Sequence, residues 1–402
     1  MSLESGSITL RRYYMQSPCK ASSDPSWVQS LRENAFIERQ LGMDEENMGW
    51  AVFANELSTD FAIESTAYGK YILLSFRRET VKVQRTLLNL HVKARVKERL
   101  KELESETLSQ KQKTEIKEEV SAELLENAQA NLQVIQVLVD TARKEVYLST
   151  TSDKSCESFE VLFLKTFNIK LLEANFMATS QKIVEDQIFE DILDGPGIRL
   201  GPEFDIHPDF EDTSEGKLGS AFLTWLLYIL QTGDGTWKSK SLGEFGMILN
   251  EYLLLEGEAL GSKQMLLKKG VLGRCAELAT SLKVGKLVSK IRVQVARGDD
   301  GSTPAPEGGE DREPASEAEE WAFVVDKLNF DLASLKVPKY NDGSEAARVI
   351  GRMGYIVEAF EIMDELFETF LDIRYGKSWN SVHKKMTNWV VELQSGDWGQ
   401  DT

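Results

Sequence analysis

Hydrophobic and polar positions follow two different periods along this chain. Runs with strand character occur at Ile8–Met15 and Tyr68–Phe76. Gln133–Val139 and Glu145–Thr150 form a further pair of β-rich runs joined by Asp-Thr-Ala-Arg-Lys, the pattern of a hairpin. Lys286–Val295, Trp321–Val325 and Leu328–Leu332 read as later strands. Helical spacing governs Val81–Ala130, which contains neither Pro nor Gly, and recurs at Ser155–Phe167, Ala221–Leu230 and Tyr355–Ile373. Strands followed by long helices, without regular βαβ alternation, predict an α+β fold.

Composition shifts suggest how the elements are grouped. Residues 181–217 are acidic and carry Gly195-Pro196-Gly197 and further prolines, so they read as a connector. The expected organisation is an amino-terminal α+β domain over 1–180 and a carboxy-terminal α+β domain over 218–402. Within the latter, Asp299–Glu320 holds nine acidic residues against one Arg. Such a segment buries too little apolar surface to offset its ordering entropy, so it is expected to be a disordered loop. The terminal helix, with Phe360, Leu366, Phe367 and Phe370, is a candidate core or dimer element, and core is the reading favoured for such a stripe.

The chain has 402 residues and a formal net charge of −18, which by itself argues against a nucleic-acid binder. The distribution changes that picture. Residues 77–101 hold Arg77, Arg78, Lys82, Arg85, Lys93, Arg95, Lys97, Arg99 and Lys101 against two Glu, a local net of +7. Residues 263–297 reach +8, with Lys268, Lys269, Lys283, Lys286, Lys290 and Arg292 among their cations and Glu277 as their one acid. On a helix, Leu88, Val92, Val96, Leu100 and Leu103 form one stripe flanked by Lys93, Lys97 and Lys101 on one side and by Arg95 and Arg99 on the other. On a strand, Lys290 and Arg292 alternate with Ile291, Val293 and Val295, giving one basic and one apolar face. A solvated surface is the ordinary reading of a single basic helix. Two such windows against an acidic remainder favour phosphate-backbone contact, non-specific in sequence and sensitive to salt. Neither window contains Phe, Trp or Tyr, so no base-stacking platform is expected in them. A basic helix lying on an anionic membrane is a weaker reading, because the acidic remainder would be repelled by the same surface.

The order of features resembles the RdgC family of bacterial recombination-associated proteins. The resemblance rests on MGWAVF (Met48–Phe53) followed by a strand and the basic helix, then KTEIKEEVSAELLENA (Lys113–Ala128), a strand reaching Asp140, and STTSDKS (Ser149–Ser155). A Pro that the family carries after a Leu-Leu pair is replaced here, where Leu124-Leu125 is followed by Glu126-Asn127. LGSAFLTWLLY (Leu218–Tyr228), LEGEALG (Leu255–Gly261) and FDLASLKVPK (Phe330–Lys339) resemble elements of divergent members. The resemblance implies mixed antiparallel sheets with long helices and a ring-shaped homodimer whose basic hole encircles double-stranded DNA. It also implies modulation of recombination by a RecA-type recombinase, little sequence preference, no cofactor, and a place in the bacterial nucleoid.

Candidate catalytic chemistry is sparse. Asp205, His207, Asp209 and Glu211 alternate, so an extended chain would put them on one side as ligands for Mg²⁺ or Mn²⁺ in a metal-dependent exonuclease. An acidic connector is the favoured reading of the same residues. Glu185, Asp186, Glu190, Asp191 and Asp194 read as a helix surface and its exit. No Walker A sequence and no Gly-x-Ser-x-Gly elbow occur. A non-enzymatic DNA binder is therefore expected, with an acidic protein-interaction scaffold as a further alternative. Three cysteines, Cys19, Cys156 and Cys275, lack zinc-site spacing and fit a reducing cytoplasm. The start, MSLESGSITLRRYYM, lacks the apolar run and cleavage site of a signal peptide, and no run is long enough to span a bilayer.

Overall fold

A computed structural model describes residues 2–38, 46–104, 106–126, 128–201, 213–233, 235–257, 263–268, 276–297, 319–340 and 343–395. In chain order the first elements are β1 (Ile8–Met15), α1 (Ser26–Glu33), β2 (Glu46–Val52), α2 (Ile63–Thr66), β3 (Ala67–Tyr68) and β4 (Tyr71–Thr80). Two helices follow, α3 (Arg85–Glu102) and α4 (Gln110–Glu126), then β5 (Asn131–Asp140), β6 (Glu145–Leu148), α5 (Asp153–Phe167) and β7 (Leu171–Glu173). After α6 (Phe176–Ile183), α7 (Asp186–Asp194) and α8 (Ser214–Thr232) come β8 (Thr236–Lys238), β9 (Glu244–Glu256), β10 (Gln264–Lys268) and α9 (Ala276–Lys283). The last elements are β11 (Leu287–Arg297), β12 (Glu319–Asp326), β13 (Leu332–Lys336), α10 (Glu345–Arg374) and α11 (Trp379–Ser395). Antiparallel pairing of the strands, among the described residues, with long helices gives the α+β class that the pattern predicts.

The chain divides into two units, and neither is the expected contiguous half. One comprises Lys20–Thr141 and Glu157–Ile169; the other comprises Met1–Cys19, Ala142–Cys156 and Lys170–Thr402. The expected cut near residue 180 fails because β1 belongs to the second unit, pairing with β13, β6 and β7. The expected connector over 181–217 is also partly regular, since its acidic residues Asp186–Asp194 form α7 and its end opens α8.

In the first unit the strand order is β5-β4-β2, with β3 against β4. Trp50, fully buried, centres an aromatic cluster with Phe76, Phe159, Phe163 and Phe167, and its indole N–H donates to Thr166 Oγ1 at 2.8 Å. The neighbouring Gly49 is needed sterically, because a Cβ there would lie 2.5 Å from the Phe36 Cα. This packing is the physical content of the Met-Gly-Trp element.

In the second unit the order is β10-β9-β11-β12-β13-β1-β6, with β7 on β1 and β8 on β9. Its core is built on α8 and α10, where Phe222, Phe367 and Phe370 meet Phe176, Phe330 and Trp225. Phe360, Leu366, Phe367 and Phe370 are all fully buried, so the terminal stripe is core within the chain. Leu328–Leu332, expected as a strand, is a turn that only then enters β13. Asp326 Oδ1 accepts the Leu328 amide at 2.8 Å and sets that turn.

A buried ion network ties this unit together. Arg12 makes a bidentate pair with Asp364 at 2.6 and 2.7 Å. Glu145, on β6, accepts from the Tyr147 hydroxyl at 2.6 Å and from Arg143 at 3.1 Å, and Lys182 lies 3.3 Å away. Among the described residues no helix is long and apolar enough to cross a membrane. Most of the expected acidic loop lies outside the described residues, but Glu319 and Glu320 belong to β12.

Candidate nucleic-acid interface

The first basic window folds into a helical arm. It is inserted into the β4–β5 hairpin, where Thr80 and Asn131 are cross-strand partners. The expected single helical run breaks into α3 and α4, which pack through Leu88, Val92, Val96 and Leu100 against Leu108, Ile116, Val120 and Leu124. Leu103 departs from the expected stripe: it caps α3 and is 47% exposed. No residue of α3 is fully buried. An 18-residue helix of this kind holds together by its one-sided seam, since isolated helices are marginal in water.

The seam sorts the cations. Arg95 sits beside it and pairs with Glu123 of α4 at 2.9 Å, and Arg99 pairs with Glu102 at 2.9 Å. Lys82, Arg85, Lys93, Lys97 and Lys101 are exposed and make no ion pair among the described residues. Lys93, Lys97 and Lys101 recur every four residues, so about 12 Å of helix carries three ammonium groups on one side. Exposed Leu87 and Leu90 lie on α3 as well. Arg77 and Arg78 do not join this row. Both are buried on β4, where Arg77 pairs with Glu79 at 2.7 Å and Arg78 with Glu46 at 2.6 Å. They are withdrawn from the surface that a phosphate backbone could reach.

The second window, in the other unit, is more divided. On β11, Ile291, Val293 and Val295 are fully buried while Lys290, Arg292 and Gln294 are half-buried on the opposite face, as the alternation predicts. Lys290 is already neutralised by Asp326 at 2.8 Å. Arg292 leaves its Nε without a hydrogen-bond partner. Lys286 is buried and Lys283 half-buried. Lys268 is exposed on β10, opposite Tyr252 of β9, and its ammonium lies 5.7 Å from that ring. An aromatic group thus stands beside a cation in a window whose own sequence has none. Lys269 and Cys275 lie outside the described residues, as do Asp205, His207, Asp209 and Glu211. Among the described residues no cluster of three potential metal ligands occurs.

Charge counting by two windows missed a third. Residues 373–391 carry Arg374, Lys377, Lys384 and Lys385 with no acid, and they include Tyr375, Trp379 and Trp389. A sliding count of net charge would have found it.

These features define an α+β protein with a basic two-helix arm, dense buried ion pairing and no recognisable catalytic cluster among the described residues. Residues 9–185 match the family described as "Putative exonuclease, RdgC". The matched span takes in β1 from Thr9 onward and the whole arm, and the likeness to the RdgC family holds over that span. No curated protein matches the chain.

Proposed function

We propose that this is a recombination-associated DNA-binding protein that contacts duplex phosphates without sequence preference, with α3 as its principal contact. The observation that carries this reading is the row Lys93, Lys97 and Lys101, exposed and unneutralised among the described residues on a helix where Arg95 and Arg99 are paired. A point-charge ammonium row suits phosphate oxygens and offers no fixed geometry for reading base edges. Lys82 and Arg85 extend the row toward β4. Lys268, with Tyr252 behind it, and Arg292 are secondary contacts. Lys283, Lys286 and Lys290 contribute less, being half-buried, buried or paired.

The family context supports two further parts of the reading: a ring-shaped homodimer around double-stranded DNA, and restraint of a RecA-type recombinase in the bacterial nucleoid. Filter binding of the full chain to unrelated duplexes tests the first step. Lys93→Glu with Lys97→Glu is expected to weaken all duplexes alike, and unchanged affinity removes α3 from the interface. The same preparation incubated with linear duplex and Mn²⁺ tests the exonuclease alternative. Nucleotide release that is lost in Asp209→Ala would overturn the non-enzymatic reading.

A further inference from the structure

The third basic window meets a recess that the DNA-binding reading does not use. The end of α10, the end of α7 with Gly195-Pro196, and the start of α8 border a shallow surface recess, open to solvent. Arg374, Lys217, Ser214 and Tyr375 supply its polar lining, and Ile192, Leu218 and Ala221 its apolar base.

Arg374 is held unusually firmly. Its guanidinium lies 4.4 Å from the Trp379 ring centroid and 5.6 Å from that of Tyr375, and one Nη donates to the Pro196 carbonyl at 2.9 Å. Trp379 is itself packed on His383, whose Nε2 is 2.7 Å from the Arg199 carbonyl. Among the described residues Arg374 has no carboxylate partner, and burial pulls its pKa below the usual value, only weakly opposed by the Tyr375 hydroxyl. Lys217, which lines the same recess, is exposed and also unpaired among the described residues. A half-buried guanidinium that is oriented by aromatics, has no counter-ion among the described residues and shares a recess with a second cation suits an anion.

We infer that this recess binds a phosphate group, with Arg374 supplying a fixed fork and Lys217 a movable charge. Arg374 still has N–H groups beyond the one spent on Pro196, so it can donate to two phosphate oxygens. The Ser214 hydroxyl adds a neutral donor. The site's residues all belong to the second unit and include none of the arm's lysines. Its phosphate can come from free orthophosphate or from the terminal phosphate of a nucleic-acid strand.

Equilibrium dialysis of the full chain against inorganic phosphate tests the site. Wild type is expected to retain phosphate, and Arg374→Gln and Lys217→Ala each to weaken it about tenfold, the effect of removing one charge-assisted hydrogen bond. Lys384→Ala, outside the cavity lining, is expected to bind as wild type does. Arg374 also packs on Trp379, so its variant could fail to fold; Lys217 is exposed and keeps the test decisive. No retention by wild type, or retention unchanged in Lys217→Ala, overturns the proposal. Short single strands with a 5′-phosphate or a 5′-hydroxyl separate the sources. A Lys217-dependent preference for the phosphorylated end supports a strand terminus as the ligand. Equal binding of the two strands, with orthophosphate retained, supports free phosphate.

Discussion

Arg78 Nε donates to Glu46 Oε1 at 2.6 Å, and Ser158 donates to the same oxygen at 3.2 Å. This pair joins β4 to β2 and to α5 within one unit, and it hides a cation that composition alone would assign to DNA. Removing Arg78 takes the guanidinium away from a partly buried carboxylate. Arg78→Ala is therefore expected to destabilise this unit by about 3 kcal/mol, the lower end for breaking a buried pair because Glu46 keeps some solvent contact. Chemical denaturation monitored at the tryptophans measures it. Duplex affinity of the folded variant should stay near wild type, in contrast to the arm lysines.

Salt dependence distinguishes direct phosphate binding from general attraction. Removing one Lys–phosphate interaction lowers the slope of log K against log salt by about one. The double variant Lys93→Glu, Lys97→Glu is expected to flatten the slope by about two, with equal effects on unrelated sequences. Arg95→Ala should flatten it less, because Arg95 is already paired with Glu123.

Glu145 makes the stability of the second unit acid-sensitive. Desolvation opposes its charge, but Arg12, Arg143, the Tyr147 hydroxyl and Lys182 outweigh that and hold the carboxyl down to about 2. In the unfolded chain it titrates near 4.3, so its contribution is complete above about pH 4.3 and is lost as pH falls toward 2. The linkage is worth about 3 kcal/mol for a shift of roughly two units. Asp331, pushed up to about 6 by burial against the pull of Arg11, acts with opposite sign. It makes stability fall as pH rises from about 4 to 6. Unfolding free energies of wild type and Glu145→Gln, compared from pH 2.5 to 6, should differ in slope only below about pH 4.5.

Gly219 sits inside α8, where Ala would ordinarily gain about 1 kcal/mol in helix propensity. Here a Cβ would fall 1.9 Å from the Lys327 carbonyl oxygen. Gly219→Ala is expected to reverse the sign and cost about 3 kcal/mol, because backbone rather than a flexible side chain must move. Gly354→Ala in α10 meets nothing within 4 Å and should be neutral or stabilising. Thermal midpoints of the two variants, measured side by side, check the contrast.

The arm should open before the sheet that bears it. Among the described residues its buried seam consists of Leu108, Ile116 and Val120 with a few half-buried partners. Amide hydrogen exchange is expected to be faster across α3 and α4 than across β4 and β5, and Val120→Ala should widen the gap by about 1 kcal/mol. Equal protection in arm and sheet would contradict an independently opening arm.

Much of this protein was legible in its residues. Ile8–Met15 is a strand with those limits, and α5, α8, β11 and α10 lie where periodicity puts them. Such elements bury one face, and burial imposes the period of two or 3.6 on the sequence. The stripe Leu88, Val92, Val96 and Leu100 did the same for the arm. Other elements were not readable. β2 is reached through MGWAVF with no alternation, β9 is interrupted by register shifts, and β13 begins where a strand was expected to end. Their positions depend on partners distant in the chain.

The sequence by itself determined the α+β class, the segregation of positive charge and the face of α3 that carries its lysines, because each follows from residues a few positions apart. Only the tertiary structure decided which cations are available. It drew Arg77 and Arg78 inside, neutralised Lys290 with Asp326, and set Tyr252 beside Lys268 by strand pairing. It also brought Lys217 to the recess beneath Arg374, a residue of a helix far along the chain. A charge count registers how many cations a segment holds, whereas burial and ion pairing are set by side chains that the chain returns from elsewhere.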